Sequence, residues 1–169
     1  SMGLGMAQSA LRAGFETYGH DPDAGRRDLL VAAGGRALNR GAPKAAVLVC
    51  VVLNAAQTRD ALFGAQGWAE GVQTGGVILG CATVAPEFAR EMEAEAARRG
   101  LLYLDAPISG GAVKAAEGRL SVMASGRTEA FGRAEAVLAA LAETVHRLGD
   151  CAGPGSAMKA VNQLLAGVH

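Results

Sequence analysis

The chain has few aromatic side chains: they make up 4% of its 169 residues, although half of the chain is hydrophobic. Such a core must be built from Ala, Val, Leu and Ile, small and branched groups that suit close packing of helices on a sheet. Net charge is also lacking. Sixteen basic residues balance sixteen acidic ones. Neither the basic footprint of a nucleic-acid binder nor an acidic tail is present. No apolar run approaches the roughly 18 residues of a membrane span, and no signal peptide is read at the N-terminus. Only three cysteines occur, widely spaced. Cys50 and Cys81 fall in apolar runs and read as buried free thiols, whereas Cys151 lies in a Gly-rich loop and reads as exposed. A reducing, cytoplasmic setting is expected. The three histidines, His20, His146 and His169, form no metal-ligand spacing with the cysteines. Ser109 has no G-x-S-x-G context, so a hydrolase triad is not expected.

What is present is an alternation. Residues 3–13 read as a helix stopped at Gly14, 15–20 as a short strand, and 24–33 as a helix stopped by Gly34-Gly35. Residues 45–53 are apolar without alternation, as a central parallel strand buried on both faces should be. A short helix over 55–63 follows, then a strand over 77–81 introduced by Gly75-Gly76. Pro86 starts a helix through residue 99, with Gly100 just past its end. A strand over 101–105 leads into Ser109-Gly110-Gly111 and a short Ala-rich segment, and another strand covers 120–124. Thr128 is expected to N-cap a helix through 142, with Glu129 in its first turn. Residues 144–148 read as a strand, and Gly153-Pro154-Gly155 opens a last helix that is still apolar at Leu164, Leu165 and Val168. Strands alternating with helices of about ten residues predict a doubly wound α/β sheet.

In such sheets ligands sit at the carboxyl ends of the strands. Three features fall there, and a fourth lies in the last helix. Ser109-Gly110-Gly111 offers a hydroxyl and bare backbone amides after a strand that stops at Pro107; an anion cradle and a plain glycine turn are both open. Asp21 ends the second element pair. It reads either as an Asp-Pro turn or as an acceptor for adenosine ribose hydroxyls, 18 residues beyond Gly3. On the second reading Gly3 is the last glycine of a dinucleotide fingerprint, a 2′-phosphate is repelled, and NAD is favoured over NADP. Leu53 and Asn54 end the apolar run, Asn54 reading locally as a helix N-cap, and Thr83 follows the next run. Lys159 lies one turn into the last helix among Met158, Val161, Leu164 and Leu165. Gln163 shares its face and Asn162 is nearby. Most such lysines are solvated. Acid–base work would require burial to lower the pKa from about 10.4. Lys114, Arg119 and Arg26-Arg27 read as solvated charges.

Three stretches together resemble the β-hydroxyacid dehydrogenases. They are D-A-P-I-S-G-G-A-V-K-A-A-E-G-R-L at residues 105–120, G-P-G-S-A-M-K at 153–159, and the helix M-G-L-G-M-A at 2–7 with Asp21. L-S-V-M-A-S-G and K-A-V-N-Q-L-L-A-G-V-H look most like the L-threonate dehydrogenase branch. The resemblance implies a Rossmann-type NAD-binding domain over residues 1–153, with 154–169 starting an interdomain helix toward an all-helical C-terminal domain. It implies that Ser109, Gly110 and Gly111 bind the carboxylate of a small hydroxy acid. Lys159 would act as general acid/base with Asn162 and Gln163 beside it, and Gly3, Asp21, Leu53, Asn54 and Thr83 would touch NAD. The family often has Asn four residues after the lysine, where this chain has Gln163. The first strand and its two glycines are expected to be missing, leaving a gap in the sheet that another chain or further residues would fill. A homo-oligomer without nucleic-acid or membrane partners is expected. A glyoxylate- or tartronate-semialdehyde-type reductase and a non-catalytic fragment are the alternatives.

Overall fold

The computed structural model describes residues 1–167; Val168 and His169, named above, lie outside the described residues. Three short sheets form the framework. β1 (Tyr18–Gly19) pairs in parallel with β2 (Arg36–Ala37). β3 (Ala45–Cys50), β4 (Val72–Gly80) and β5 (Leu102–Asp105) form a parallel sheet in that order. β6 (Ile108–Ser109) runs antiparallel to β7 (Leu120–Ala124), which runs parallel to β8 (Ala142–Arg147). The second and third sheets are joined where Asp105 bridges Ser125.

Helices cover both faces, as the alternation predicts. Along β4 and β5 the side chains alternate. Val77, Leu79 and Leu104 pack on one side with α1 (Met2–Arg12), α5 (Gly111–Glu117) and α6 (Thr128–Leu141), through Met6, Ala115, Phe131 and Leu138. Ile78 and Tyr103 pack on the other with α3 (Ala55–Phe63) and α4 (Pro86–Arg98), through Leu62, Ala89, Met92 and Ala96. α2 (Ala24–Ala32) lies beside β1–β2 and buries Leu30. α7 (Pro154–Ala166) closes over the ends of β5 and β7. Each fully buried Leu or Ile contributes about 1.5–3 kcal/mol. With so few rings available, the many buried alanines let helices and strands approach closely.

Several local expectations shift. The central strand ends at Cys50, and Ala45 and Ala46 are exposed, because β3 is paired on one edge only among the described residues. β4 begins at Val72, well before Gly75-Gly76; Gly75 has φ +76° and the pairing register slips between Ala45 and Val47, so the glycines make an irregularity inside the strand rather than its start. Thr128 is the first helical residue of α6, not its cap: Arg127 holds that place and makes no side-chain cap bond. Ala142 is already extended and begins β8. The two-residue strands β2 and β6 had no counterpart in the sequence reading.

Candidate functional site

The carboxyl ends of β1, β3, β4 and β5 fix the positions of most candidate residues. Asp21 follows β1, Leu53 and Asn54 follow β3, Thr83 follows β4, and the Asp105–Gly111 stretch follows β5. Two surface hollows of about 450 and 640 Å³ lie elsewhere. One is lined by Lys44, Thr74 and Leu101 at the amino ends of strands, the other by Leu11, Arg12 and Gly34 at the far ends of α1 and α2.

On the β1–β3–β4 side, both local readings of Asp21 and Asn54 as turn and cap residues are realised. Asp21 Oδ1 accepts from the Asp23 amide at 2.9 Å, and its other oxygen lies 3.6 Å from Arg26. Arg27 donates to the Asp21 carbonyl. Arg26 and Arg27 are therefore tied to this corner rather than simply solvated. Asn54 Oδ1 accepts from the Gln57 amide at 2.9 Å, and Gln57 Oε1 accepts from the Leu53 amide at 2.9 Å. This reciprocal pair stiffens the loop after β3. Leu53 is 83% exposed, and Thr83 is exposed. Leu53 is thus an apolar side chain held out by this loop, while Asp21 and Thr83 follow strands of two separate sheets. Gly3 sits in the first turn of α1, where an added Cβ would meet Val51 at an ordinary 3.6 Å. Close packing requires glycine instead at Gly5, where a Cβ would lie 2.7 Å from the Ala116 amide nitrogen. Ser9 and Arg12, on the same helix, donate to the last carbonyls of α5, including Ser9 Oγ to Ala115 at 2.7 Å. α1 and α5 are thus locked side by side.

On the β5 side, Ile108 and Ser109 are half-buried, and Gly110 and Gly111 are exposed. Gly110 has φ +137° and Gly111 φ +76°, conformations that side chains rarely adopt. The pair turns the chain sharply and leaves no Cβ over its amides. Lys159 Nζ donates to the Ile108 carbonyl at 2.9 Å. Lys159 is half-buried, and burial pulls its ammonium below the ordinary 10.5. The structure thus brings Lys159 to Ser109-Gly110-Gly111. Asn162 and Gln163 lie farther along α7, exposed, with no side-chain hydrogen bond among the described residues.

Sequence reasoning missed the residues that fasten this arrangement. Asp105, 1% exposed, accepts through Oδ1 from Ser156 Oγ at 2.6 Å. Its Oδ2 accepts from the amides of Ser156 at 2.7 Å and Gly153 at 3.0 Å. Ser125 Oγ donates to Oδ2 at 3.4 Å and accepts from the Gly155 amide at 2.9 Å. The only available signal was an acid at a strand end and a serine opening a helix. Elsewhere, Cys50 and Cys81 are buried and Cys151 is exposed, as expected. Burial raises the Cys50 thiol to about 11. Arg119 pairs with Glu117 and Glu143 at the surface. Among the described residues no His, Cys, Asp and Glu cluster could hold a metal, and no helix is long and apolar enough to cross a membrane.

Residues 1–149 match the NAD binding domain of 6-phosphogluconate dehydrogenase. The chain is 47% identical to the L-threonate dehydrogenase of Cupriavidus necator, covering all of this chain and 58% of that protein. It is 43% identical to the L-threonate dehydrogenase of Escherichia coli K12, covering all of this chain and 57% of that one. The crystal structure of 3-hydroxyisobutyrate dehydrogenase from Salmonella typhimurium superposes with a TM-score of 0.93 at 44% identity, over 99% of this chain and 60% of that chain. The chain therefore spans a little under three-fifths of the length of these curated relatives. The match over most of the chain leads to one conclusion: the chain belongs to the family of the NAD binding domain of 6-phosphogluconate dehydrogenase.

Proposed function

We propose that the chain is the cofactor-binding part of an NAD-dependent oxidoreductase acting on a small hydroxy acid of the L-threonate or 3-hydroxyisobutyrate type. The observation that carries the reading is the hydrogen bond from Lys159 to Ile108, which holds an ammonium beside Ser109-Gly110-Gly111. NAD, when bound, supplies the hydride acceptor. Asp21, Leu53, Asn54 and Thr83 hold the adenosine side, and Gly3 keeps the first turn of α1 bare. The Ser109 hydroxyl and the Gly110 and Gly111 amides orient the substrate carboxylate. During oxidation Lys159, as the neutral amine, accepts the hydroxyl proton as the carbonyl forms; in the reverse direction its ammonium returns that proton. Asn162 and Gln163 are available to orient further hydroxyls. Positioning and a cation near the developing oxyanion supply most of the catalysis.

The relatives named L-threonate dehydrogenase support that substrate class over an aldehyde-acid reductase. In this reading residues 1–153 are the NAD domain, and α7 starts a helix toward a second, helical domain. The exposed Met158, Val161, Leu164 and Leu165 on α7 offer an apolar face for that domain or for a partner subunit of a homo-oligomer. The free thiols suit a reducing, cytoplasmic setting. The experiment is steady-state turnover of L-threonate, 3-hydroxyisobutyrate and tartronate semialdehyde by wild type and Lys159→Ala. The expected result is preference for a hydroxy acid and a loss of roughly a thousandfold in the variant. Near-normal turnover in Lys159→Ala contradicts the assignment.

A further inference from the structure

Lys159 and Ile108 are one end of a small closed ring, and Asp105 and Ser156 are the other. From Asp105 the chain runs three residues to Ile108, whose carbonyl accepts from Lys159 at 2.9 Å. From Lys159 it runs back three residues to Ser156, whose hydroxyl and amide both donate to Asp105 at 2.6 and 2.7 Å. Residues three apart on a helix share a face, so Ser156 and Lys159 point toward the same strand ends. Two arms of equal length are therefore closed by hydrogen bonds at both ends.

The Asp105 end is the rigid one. α7 has no capping side chain of its own. Of the first-turn positions, Pro154 has no amide hydrogen. The amides of Gly153 and Ser156 go to Asp105 Oδ2, and that of Gly155 goes to Ser125 Oγ. The helix ladder proper starts with the Ala157 amide on the Gly153 carbonyl. Every donor that a helix start leaves free is thus met by two side chains from distant strand ends. Those two residues are themselves bridged in both directions, Asp105 amide to Ser125 carbonyl at 3.0 Å and the reverse at 2.9 Å. There is no slack for α7 to settle elsewhere: a Cβ on Gly155 would lie 2.7 Å from the Asp105 carbonyl oxygen. Asp105, Ser125 and Ser156 are all at most 1% exposed.

We propose that Asp105 is the positioning residue of the site, setting the first turn of α7 against the β5–β6 link so that Lys159 reaches Ile108 and faces Ser109-Gly110-Gly111. It acts through Lys159 and touches neither substrate nor cofactor. A purely structural carboxylate would stabilise the domain without controlling where the ammonium lies. The proposal rests on the assignment of Lys159 only for its effect on turnover; the placement of Lys159 is tested without it.

The chain contains three lysines, Lys44, Lys114 and Lys159. Reductive ¹³C-methylation therefore gives three lysine resonances beside that of the Ser1 α-amino group, and Lys44 and Lys114 are exposed. The Lys159 resonance, identified by its loss in Lys159→Arg, is expected to stand apart from the other two in the wild-type protein. In Asp105→Asn it converges on them, while Lys44 and Lys114 stay in place. In turnover with L-threonate and NAD, kcat falls roughly 100-fold, as for a small misplacement of a catalytic group, with KM for NAD nearly unchanged. Ser156→Ala, which removes one donor and keeps the amide bonds, shifts the Lys159 resonance part of the way and decides the matter if Asp105→Asn does not fold. An unmoved Lys159 resonance in a folded variant overturns the proposal. Convergence of the resonance together with full turnover in Lys159→Ala upholds Asp105 as the anchor of Lys159 and refutes the catalytic reading of the lysine.

Discussion

Lys159 Nζ lies 2.9 Å from the carbonyl oxygen of Ile108, 51 residues earlier in the chain. That bond turns a helix-surface lysine into a fixed, half-buried ammonium at a strand end. Partial burial lowers its proton affinity in the folded state, whereas the unfolded chain keeps the ordinary value of 10.5. Between the two values the unfolded state binds more protons, so the lysine's contribution makes stability rise with pH in the window just below 10.5. Urea melts of wild type and Lys159→Met at pH 8.5 and 10.5 measure this contribution by difference. The wild type should gain stability relative to the variant at the higher pH; equal or opposite change contradicts the burial of Lys159.

The contact between α1 and α5 predicts an asymmetry between two glycines of one helix. Gly5→Ala places a Cβ 2.7 Å from a backbone nitrogen that cannot swing away, and should cost about 1–3 kcal/mol. Gly3→Ala meets Val51 at 3.6 Å and should be tolerated. Thermal melts should show a drop of several degrees for Gly5→Ala and little change for Gly3→Ala.

Thiol chemistry distinguishes the three cysteines. Cys50 and Cys81 are buried, and burial pushes both thiols up, Cys50 to about 11. A thiol reagent at pH 8 should therefore modify Cys151 alone in the folded protein. Cys50 and Cys81 should react once denaturant is added. Rapid reaction of more than one thiol per folded chain would contradict the packing around β3 and β4.

In the proposed reading Asp21 sets the choice of cofactor. Its carboxylate follows β1 and is only weakly paired, 3.6 Å from Arg26. Asp21→Asn should narrow the preference for NADH over NADPH by about tenfold, the worth of roughly 1.4 kcal/mol. Parallel binding titrations of the two cofactors measure it, and an unchanged ratio would remove Asp21 from the cofactor site.

Local punctuation made much of this fold legible. Asn54 capping α3, Pro86 opening α4 and Gly100 closing it are signals within a few residues, and the helix bounds followed from them. β2 and β6 are two residues long and carry no period to read. The start of β4 was hidden because Gly75-Gly76 looks like a turn, yet it is a kink inside a strand held by its neighbours. Lys159 and Ser109-Gly110-Gly111 were legible as separate motifs. Their junction at Ile108, and the Asp105–Ser156 lock behind it, join residues 51 apart and leave no local trace. Thr128 failed as a cap because the turn into α6 gave that place to Arg127.

The most direct test of the central claim is a titration of this chain with NADH followed by nicotinamide fluorescence. A domain that carries Asp21 after β1, Leu53 and Asn54 after β3 and Thr83 after β4 should bind NADH in the micromolar range, and Asp21→Asn should weaken binding measurably. No binding at millimolar NADH would contradict the account.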